Sequence, residues 1–255
     1  MQCLSGTSIN VKIKKMSKFR ISVIADTHTR HDSITNDLPG GDLLLHSGDF
    51  MNSGYGEKDI VNFCKWYDAI DNYDTKVFIA GNHDRLFENK PEVAKEIYSS
   101  YKSIDYLQDE ELGLYLDGPN GEFPEDNIRI YGSPWQPEFY AWAFNLPRNG
   151  IELAGKWEGI PLNTDILLTH GPAWGTLDTV AGRPWDNLGC ELLADRIQIV
   201  KPKIHVCGHI HSGYGYEFKD GTHFFNASVL DESYEYTQKP KTFDWDKETN
   251  TIKFI

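Results

Sequence analysis

Cysteine is scarce in this chain: four residues in 255, Cys3, Cys64, Cys190 and Cys207, with no C-x-x-C pair among them. That excludes a disulfide-stapled scaffold, and it favours a reducing compartment. Long apolar runs are missing as well. No stretch approaches the ~18 residues of a membrane span, and the lysine-bearing first 20 residues hold no apolar core for a signal peptide. A soluble, cytoplasmic protein is therefore expected, with no membrane partner. Positive charge is the third shortage: Lys and Arg number 25 against 38 Asp and Glu, a net charge of -13. A field of that sign repels polyanions, so broad nucleic-acid binding is not expected. It leaves room for a small anion held by metal ions, which reverse the field locally. Repeats and low-complexity linkers are absent too. What remains, 40% hydrophobic, 25% charged and 13% aromatic, is the profile of a globular chain. Residues 1–17 read as a flexible extension, with Met16 as an alternative start, and 18–255 as one domain.

Short β-branched and apolar runs recur, each ending in Gly, Asp, Asn or His. Phe19–Ala25, Asp42–His46, Lys76–Ala80, Ile128–Tyr131, Asp165–Thr169 and Lys203–Cys207 have strand length and composition. Between them, Lys58–Ile70, Pro91–Tyr101 and Leu188–Val200 carry helical spacing, the second opening on a first-turn proline. The last third, with Gly213–Phe218, Thr222–Asn226 and Thr251–Ile255, reads as strands and turns. This order suggests an α/β sandwich of two packed sheets with helices outside. Such folds place their sites on loops beyond the strand ends.

Five strand ends carry polar clusters: Asp26-x-His28, Gly48-Asp49, Gly81-Asn82-His83-Asp84, His170, and Gly208-His209-x-His211. Carboxylate, imidazole and amide oxygen together suit borderline divalent ions such as Mn, Fe, Zn, Co or Ni. In extended backbone, D-x-H and H-x-H send both side chains to one face, so each pair can reach one centre. Taken singly, each cluster has an ordinary reading: Gly-Asp after a strand is usually a turn, and loop histidines are common. Five such clusters, each behind a strand, form a joint pattern that turns and chance histidines do not explain.

The set D-x-H…G-D…G-N-H-D…H…G-H-x-H resembles the signature of the calcineurin-like metallophosphoesterases. Tyr131-Gly-Ser-Pro-Trp135, Phe144-Asn-Leu-Pro-Arg148, Leu168-Thr-His-Gly-Pro172, the run from Gly208 to Gly215 and Phe225-Asn-Ala-Ser228 narrow it to the small metallophosphoesterase-domain-containing subgroup. The resemblance spans roughly Phe19 to Asp244. It implies a four-layer α-β-β-α sandwich of two mixed β-sheets and two divalent ions, with Asp26, His28 and His211 on one, Asn82, His170 and His209 on the other, and Asp49 bridging. It also implies attack on phosphorus by a hydroxide shared between the ions. His83 would protonate the leaving oxygen and Asp84 would fix the His83 tautomer. The subgroup suggests a phosphodiesterase acting on cyclic nucleotides or related small diesters. A nuclease, a phosphomonoesterase and a non-catalytic binding module are the competing readings; the module would be expected to lose ligands that are all present here.

Other candidates are weaker. Trp174, near His170, could stack on a nucleobase, and His31, three residues beyond His28, could touch substrate. His46 and His205 lie inside strands and read as core imidazoles with satisfied hydrogen bonds, while Cys207 reads as a small buried hydrophobe.

Overall fold

A computed structural model describes residues 13–14, 18–114, 116–117 and 128–255. Of the expected extension 1–17, only the Ile13–Lys14 pair, paired parallel with Leu116–Asp117, lies within the described residues; Met16 does not.

In β1 (Lys18–Ile24), Phe19, Ile21 and Val23 face one way and Ser22 and Ile24 the other, the two-residue period of a strand buried on both faces. Along the chain follow β2 (Gly41–His46), β3 (Tyr73–Phe78), β4 (Asp105–Tyr106), β5 (Glu110–Leu114) and β6 (Ile128–Ser133). After them come β7 (Ile166–Thr169), β8 (Ile204–Cys207), β9 (Gly215–Lys219), β10 (Thr222–Asn226), β11 (Lys241–Asp246) and β12 (Thr251–Phe254). The helices are α1 (Glu57–Ala69), α2 (Arg85–Asn89), α3 (Pro91–Tyr98), α4 (Ile151–Glu158) and α5 (Glu191–Val200).

Two six-stranded mixed sheets result, ordered β12-β11-β1-β2-β3-β4 and β9-β10-β8-β7-β6-β5. Their inner faces share one core, in which Ile21, Val23, Leu45 and Val77 meet Ile130, Ile166, Leu168 and Val206. Ile60, Phe63 and Tyr67 of α1 cover the outer face of the first sheet over Leu44 and Phe78. Leu153 and Trp157 of α4, with Leu193 and Ile197 of α5, cover the second over Leu167 and Phe224. Each such side chain, fully buried, contributes about 1.5–3 kcal/mol of transfer free energy. The four-layer α-β-β-α sandwich expected from the sequence is thus the architecture found.

β1, β2 and β3 run parallel in one sheet, and β6, β7, β8 and β10 in the other. The sheets meet just beyond these ends, where Ala25 bridges to Ser228 and its N–H reaches the Ala227 carbonyl at 2.8 Å. Loops from both sheets therefore converge on one point. β4, β5 and β11 have no counterpart among the strands expected from the sequence. The Lys-Thr-Phe-Asp-Trp-Asp alternation of β11 seats Phe243 opposite Ile21 and Trp245 opposite Phe19.

Candidate metal centre

Four residues of the polar clusters, Asp26, His28, Asp49 and His209, have left-handed backbone, with φ of 53°, 39°, 58° and 68°. Non-glycine residues adopt that region rarely and at a cost, so its repetition at successive strand ends marks a surface shaped for something other than stability. Glycines make the crowding possible. A Cβ on Gly81 would lie 2.3 Å from Asp49 Oδ1 and 2.6 Å from His170 Cε1, and one on Gly208 would lie 2.3 Å from Asp26 Oδ2.

The side chains converge as two trios that share a neighbourhood. Asp26, His28 and His211 form one; Asp49, His170 and His209 form the other; in each, the donor atoms lie within 4.8 Å of one another. A further trio of His28, Asp49 and His83 joins them, so Asp49 stands between the two centres. Asn82 Oδ1 faces His170 Nε2 at 2.9 Å and His209 Nδ1 at 2.7 Å. His170 Nε2 is 3.3 Å and His28 Nε2 3.9 Å from Asp49 Oδ2, and His211 Nε2 is 3.7 Å from Asp26 Oδ1. Donor atoms bound at about 2.1 Å to one ion stand roughly 3.0–3.4 Å apart in octahedral or tetrahedral geometry, and the observed separations, from 2.7 to 3.9 Å, lie on either side of that spacing.

Orientation supports the same fit. His28, His170 and His211 each give Nδ1–H to a backbone carbonyl, of Met51 at 3.1 Å, Ser47 at 2.9 Å and Asp231 at 2.8 Å. A carbonyl can only accept, which fixes the tautomer and leaves Nε2 as the nitrogen able to bind a cation. The Nε2 of His28 is buried and has no hydrogen-bond partner, as expected of an atom that faces a cation. Asp26 receives the His209 N–H at 2.9 Å and the Ser228 hydroxyl at 2.6 Å, which hold its carboxylate in place.

Protonation follows from burial and charge. Burial pulls His170 and His211 down, but Asp49 in the first case and Asp26 in the second outweigh it and lift both to about 9. Burial holds His28 at about 4, and burial with the neighbouring His170 holds His209 at about 3. Burial also opposes ionisation of Asp26 and Asp49, yet their histidine partners keep both below the usual carboxylate range. Two imidazolium charges thus offset two buried carboxylates, the work that divalent cations would do as those protons leave.

Asp84 requires a correction. Its carboxylate does not touch His83; it accepts backbone N–H bonds from Asp49 at 2.8 Å, Gly81 at 2.7 Å and Met51 at 2.9 Å. The His83 ring gives Nδ1–H to the Asn52 carbonyl, so that carbonyl sets its tautomer. Asp84 instead ties together the two loops that carry Asp49 and Asn82. Burial and the Asp49 charge push its pKa well above the ordinary value, against those donors.

A cavity of about 500 Å³ opens over Asp49, Asn82, His83, His209 and His211. Neither predicted substrate contact lines it. His31 is buried in the α1 cluster, 5.0 Å from the Trp66 ring and 5.9 Å from Phe63, and Trp174 stands 47% exposed outside it. The aromatic walls are Phe139, whose ring meets that of His209 at 5.3 Å, and Tyr234, residues with no motif around them. His46 behaves as expected: Nε2 meets the Thr27 hydroxyl at 3.1 Å and Nδ1 accepts the Gly48 N–H. His205 meets the Thr169 hydroxyl at 2.8 Å, while its Nδ1 has no partner. Cys207 is buried as expected. No helix among the described residues is long and apolar enough to cross a membrane.

Fold and cluster together define a metal-site protein of the α-β-β-α sandwich class. This chain belongs to the calcineurin-like phosphoesterases, whose family model matches residues 19–213. It is similar to metallophosphoesterase domain-containing protein 1 of Homo sapiens, at 38% identity over 237 residues, covering 88% of this chain and 70% of that one. UPF0046 protein T07D4.2 of Caenorhabditis elegans is 35% identical over 257 residues, 94% of this chain and 63% of its own. The crystal structure of TT1561 of Thermus thermophilus shares the fold, with a TM-score of 0.61 over 93% of this chain and 98% of that one at 13% identity.

Proposed function

We propose that the protein is a dinuclear metal-dependent phosphodiesterase acting on small diesters, cyclic nucleotides among them. The observation that carries this is the pair of candidate ligand trios, one of them containing Asp49, gathered beneath an open cavity that Asp49, His209 and His211 line. Asp26, His28 and His211 would hold one ion, Asn82, His170 and His209 the other, with Asp49 shared. Bound there, two divalent ions supply charge neutralisation for phosphoryl oxygens and a water made nucleophilic near neutral pH.

The remaining work belongs to the chain. His83 lines the cavity, and its Nδ1 bond to Asn52 leaves Nε2 to serve a departing oxygen. In its protonated form it is placed to donate there. The His83 backbone N–H holds Asp49 Oδ1 at 2.7 Å, so proton donor and shared carboxylate are set relative to each other.

The preference for a diester rests on the cavity wall. Phe139, Val180 and Leu188 present apolar surface to a second organic group. The cavity's arginines are already engaged, Arg148 with the Leu188 and Gly189 carbonyls and Glu191, and Arg183 with Asp186. A monoester dianion would call for further cations. Glu138 and Glu232 at the wall, with the net charge of -13, oppose a polynucleotide.

The test is hydrolysis by manganese-loaded protein of bis(p-nitrophenyl) phosphate against p-nitrophenyl phosphate, followed by 3′,5′- and 2′,3′-cyclic nucleotides. Turnover of the diester above the monoester supports the reading. Faster monoester turnover overturns the diester preference, and no turnover of either favours a binding module.

A further inference from the structure

Tyr234 stands in the cavity with its ring edge-on to three histidines of the cluster. Centroids lie 4.8 Å from His28, 5.4 Å from His211 and 6.5 Å from His83. Its φ is +60°, a region that an aromatic residue enters only when its surroundings impose it. Those surroundings are specific. The Asp231 carboxylate accepts the N–H of Ser233 at 2.8 Å and of Glu235 at 3.0 Å, which closes the loop around Tyr234. The Asp231 carbonyl accepts both the Tyr234 N–H at 2.9 Å and the His211 Nδ1–H at 2.8 Å. One carbonyl therefore registers the phenol against a ligand histidine.

Packing alone does not account for this tyrosine. Three other tyrosines bind their hydroxyls to protein: buried Tyr67 to the Leu44 carbonyl at 2.7 Å, half-buried Tyr236 to Asp37 at 2.6 Å and half-buried Tyr106 to Gln108 at 2.8 Å. Tyr234 is 38% exposed, lines the cavity, and makes no hydroxyl hydrogen bond among the described residues.

We infer that Tyr234 is a further catalytic residue, whose phenol donates a hydrogen bond to a non-bridging oxygen of the phosphoryl group held over the metal cluster. Such an oxygen can only accept, and a neutral phenol can donate. The inference rests on the phosphoester reading above, and it assigns the protein's own donor at the side of the cavity nearest His28 and His211. A hydrogen bond to a charged oxygen is the kind that strengthens as charge develops in the transition state.

The experiment compares wild type, Tyr234→Phe and Tyr234→Ala as manganese-loaded proteins. Calorimetric affinity for inorganic phosphate and kcat/KM on bis(p-nitrophenyl) phosphate are read beside metal content and melting temperature. The expected result is a loss on the order of 10–100-fold in both phosphate affinity and kcat/KM for Tyr234→Phe, with metal content and melting temperature unchanged. Phosphate affinity of Tyr234→Phe equal to wild type overturns the inference, and if Tyr234→Ala alone is impaired the ring is only a wall. Loss of metal from Tyr234→Phe also overturns it, assigning the effect to His211. Phosphate binding decides the role of Tyr234 even if wild type hydrolyses neither ester, an outcome that would count instead against the proposed function.

Discussion

Replacing Asp84 should act on the loops rather than on the proton donor. Its two carboxylate oxygens accept three backbone N–H groups, all buried, from Asp49, Gly81 and Met51. Truncation in Asp84→Ala leaves three donors without partners, each costing about 1–3 kcal/mol, a total of roughly 3–9 kcal/mol. Water entering the vacated space should hold the loss near the lower end, still a large fraction of the 5–15 kcal/mol typical of a folded domain. Asp84→Asn can keep its amide oxygen on the Asp49 and Gly81 donors, where two bonds converge, and place its NH2 against the Met51 N–H. One bond is lost and two donors face each other, so about 1–3 kcal/mol is expected. Urea denaturation of metal-free protein at pH 7 measures this as a shift in midpoint at constant m. Both variants should also bind metal more weakly, because Asp49 and Asn82 sit on the two loops that Asp84 joins. An Asp84→Ala protein within 1 kcal/mol of wild type, slowed only on substrates with poor leaving groups, would refute this reasoning and return Asp84 to the role of orienting His83.

Three further outcomes follow from the same geometry. Chelation should lower the melting temperature and manganese should restore it, since ions that bind only the folded cluster stabilise it by mass action; an unchanged melt after verified metal removal contradicts a preformed site. In metal-free protein, stability should peak near pH 6.5. As pH falls below that, the folded chain resists protonating His28, held at about 4, and His46, His205 and His209, held at about 3, so stability is lost. As pH rises from about 6.5 through 9, the contribution of His170 and His211, both lifted to about 9, is lost in turn. A melting temperature that changes in one direction only from pH 5 to pH 9 would contradict those assignments. Finally, His83→Ala should slow a cyclic nucleotide by about 10²–10⁴-fold and the nitrophenyl diester far less, because a ribose alkoxide needs a proton and a nitrophenolate does not. Equal loss on both at full metal loading removes the proton-donor role.

Much of the framework was legible from local pattern. Strands such as Asp165–Thr169 and Lys203–Cys207 stand out because both their faces are buried, giving continuous apolar runs, and the structure shifts their starts by one residue, to Ile166 and Ile204. The ligand candidates were legible because a site built on strand ends leaves its residues in short motifs. Contacts made by the backbone were not legible. Asp84 lies in the Gly81–Asp84 motif and looks like a partner for its neighbour His83, yet its acceptors point at main-chain N–H groups 35 and 33 residues away as well as at Gly81. Proximity in sequence also misplaced His31 and Trp174: the short helix His31–Asp37 turns the first into the α1 packing, and the second lies past the turn after His170. Helix α4 went unseen because Gly155 interrupts a short apolar pattern, and Tyr234 because nothing local distinguishes a loop tyrosine from any other.

The central claim is that one carboxylate, Asp49, lies between two metal ions. Elemental analysis of manganese-loaded protein, paired with anomalous scattering from its crystals, tests it directly. The account predicts two manganese ions per chain, adjacent to each other and both against Asp49, with Asp26, His28 and His211 around one and Asn82, His170 and His209 around the other. A single ion at saturating manganese, with Asn82 and His170 unengaged, would contradict it.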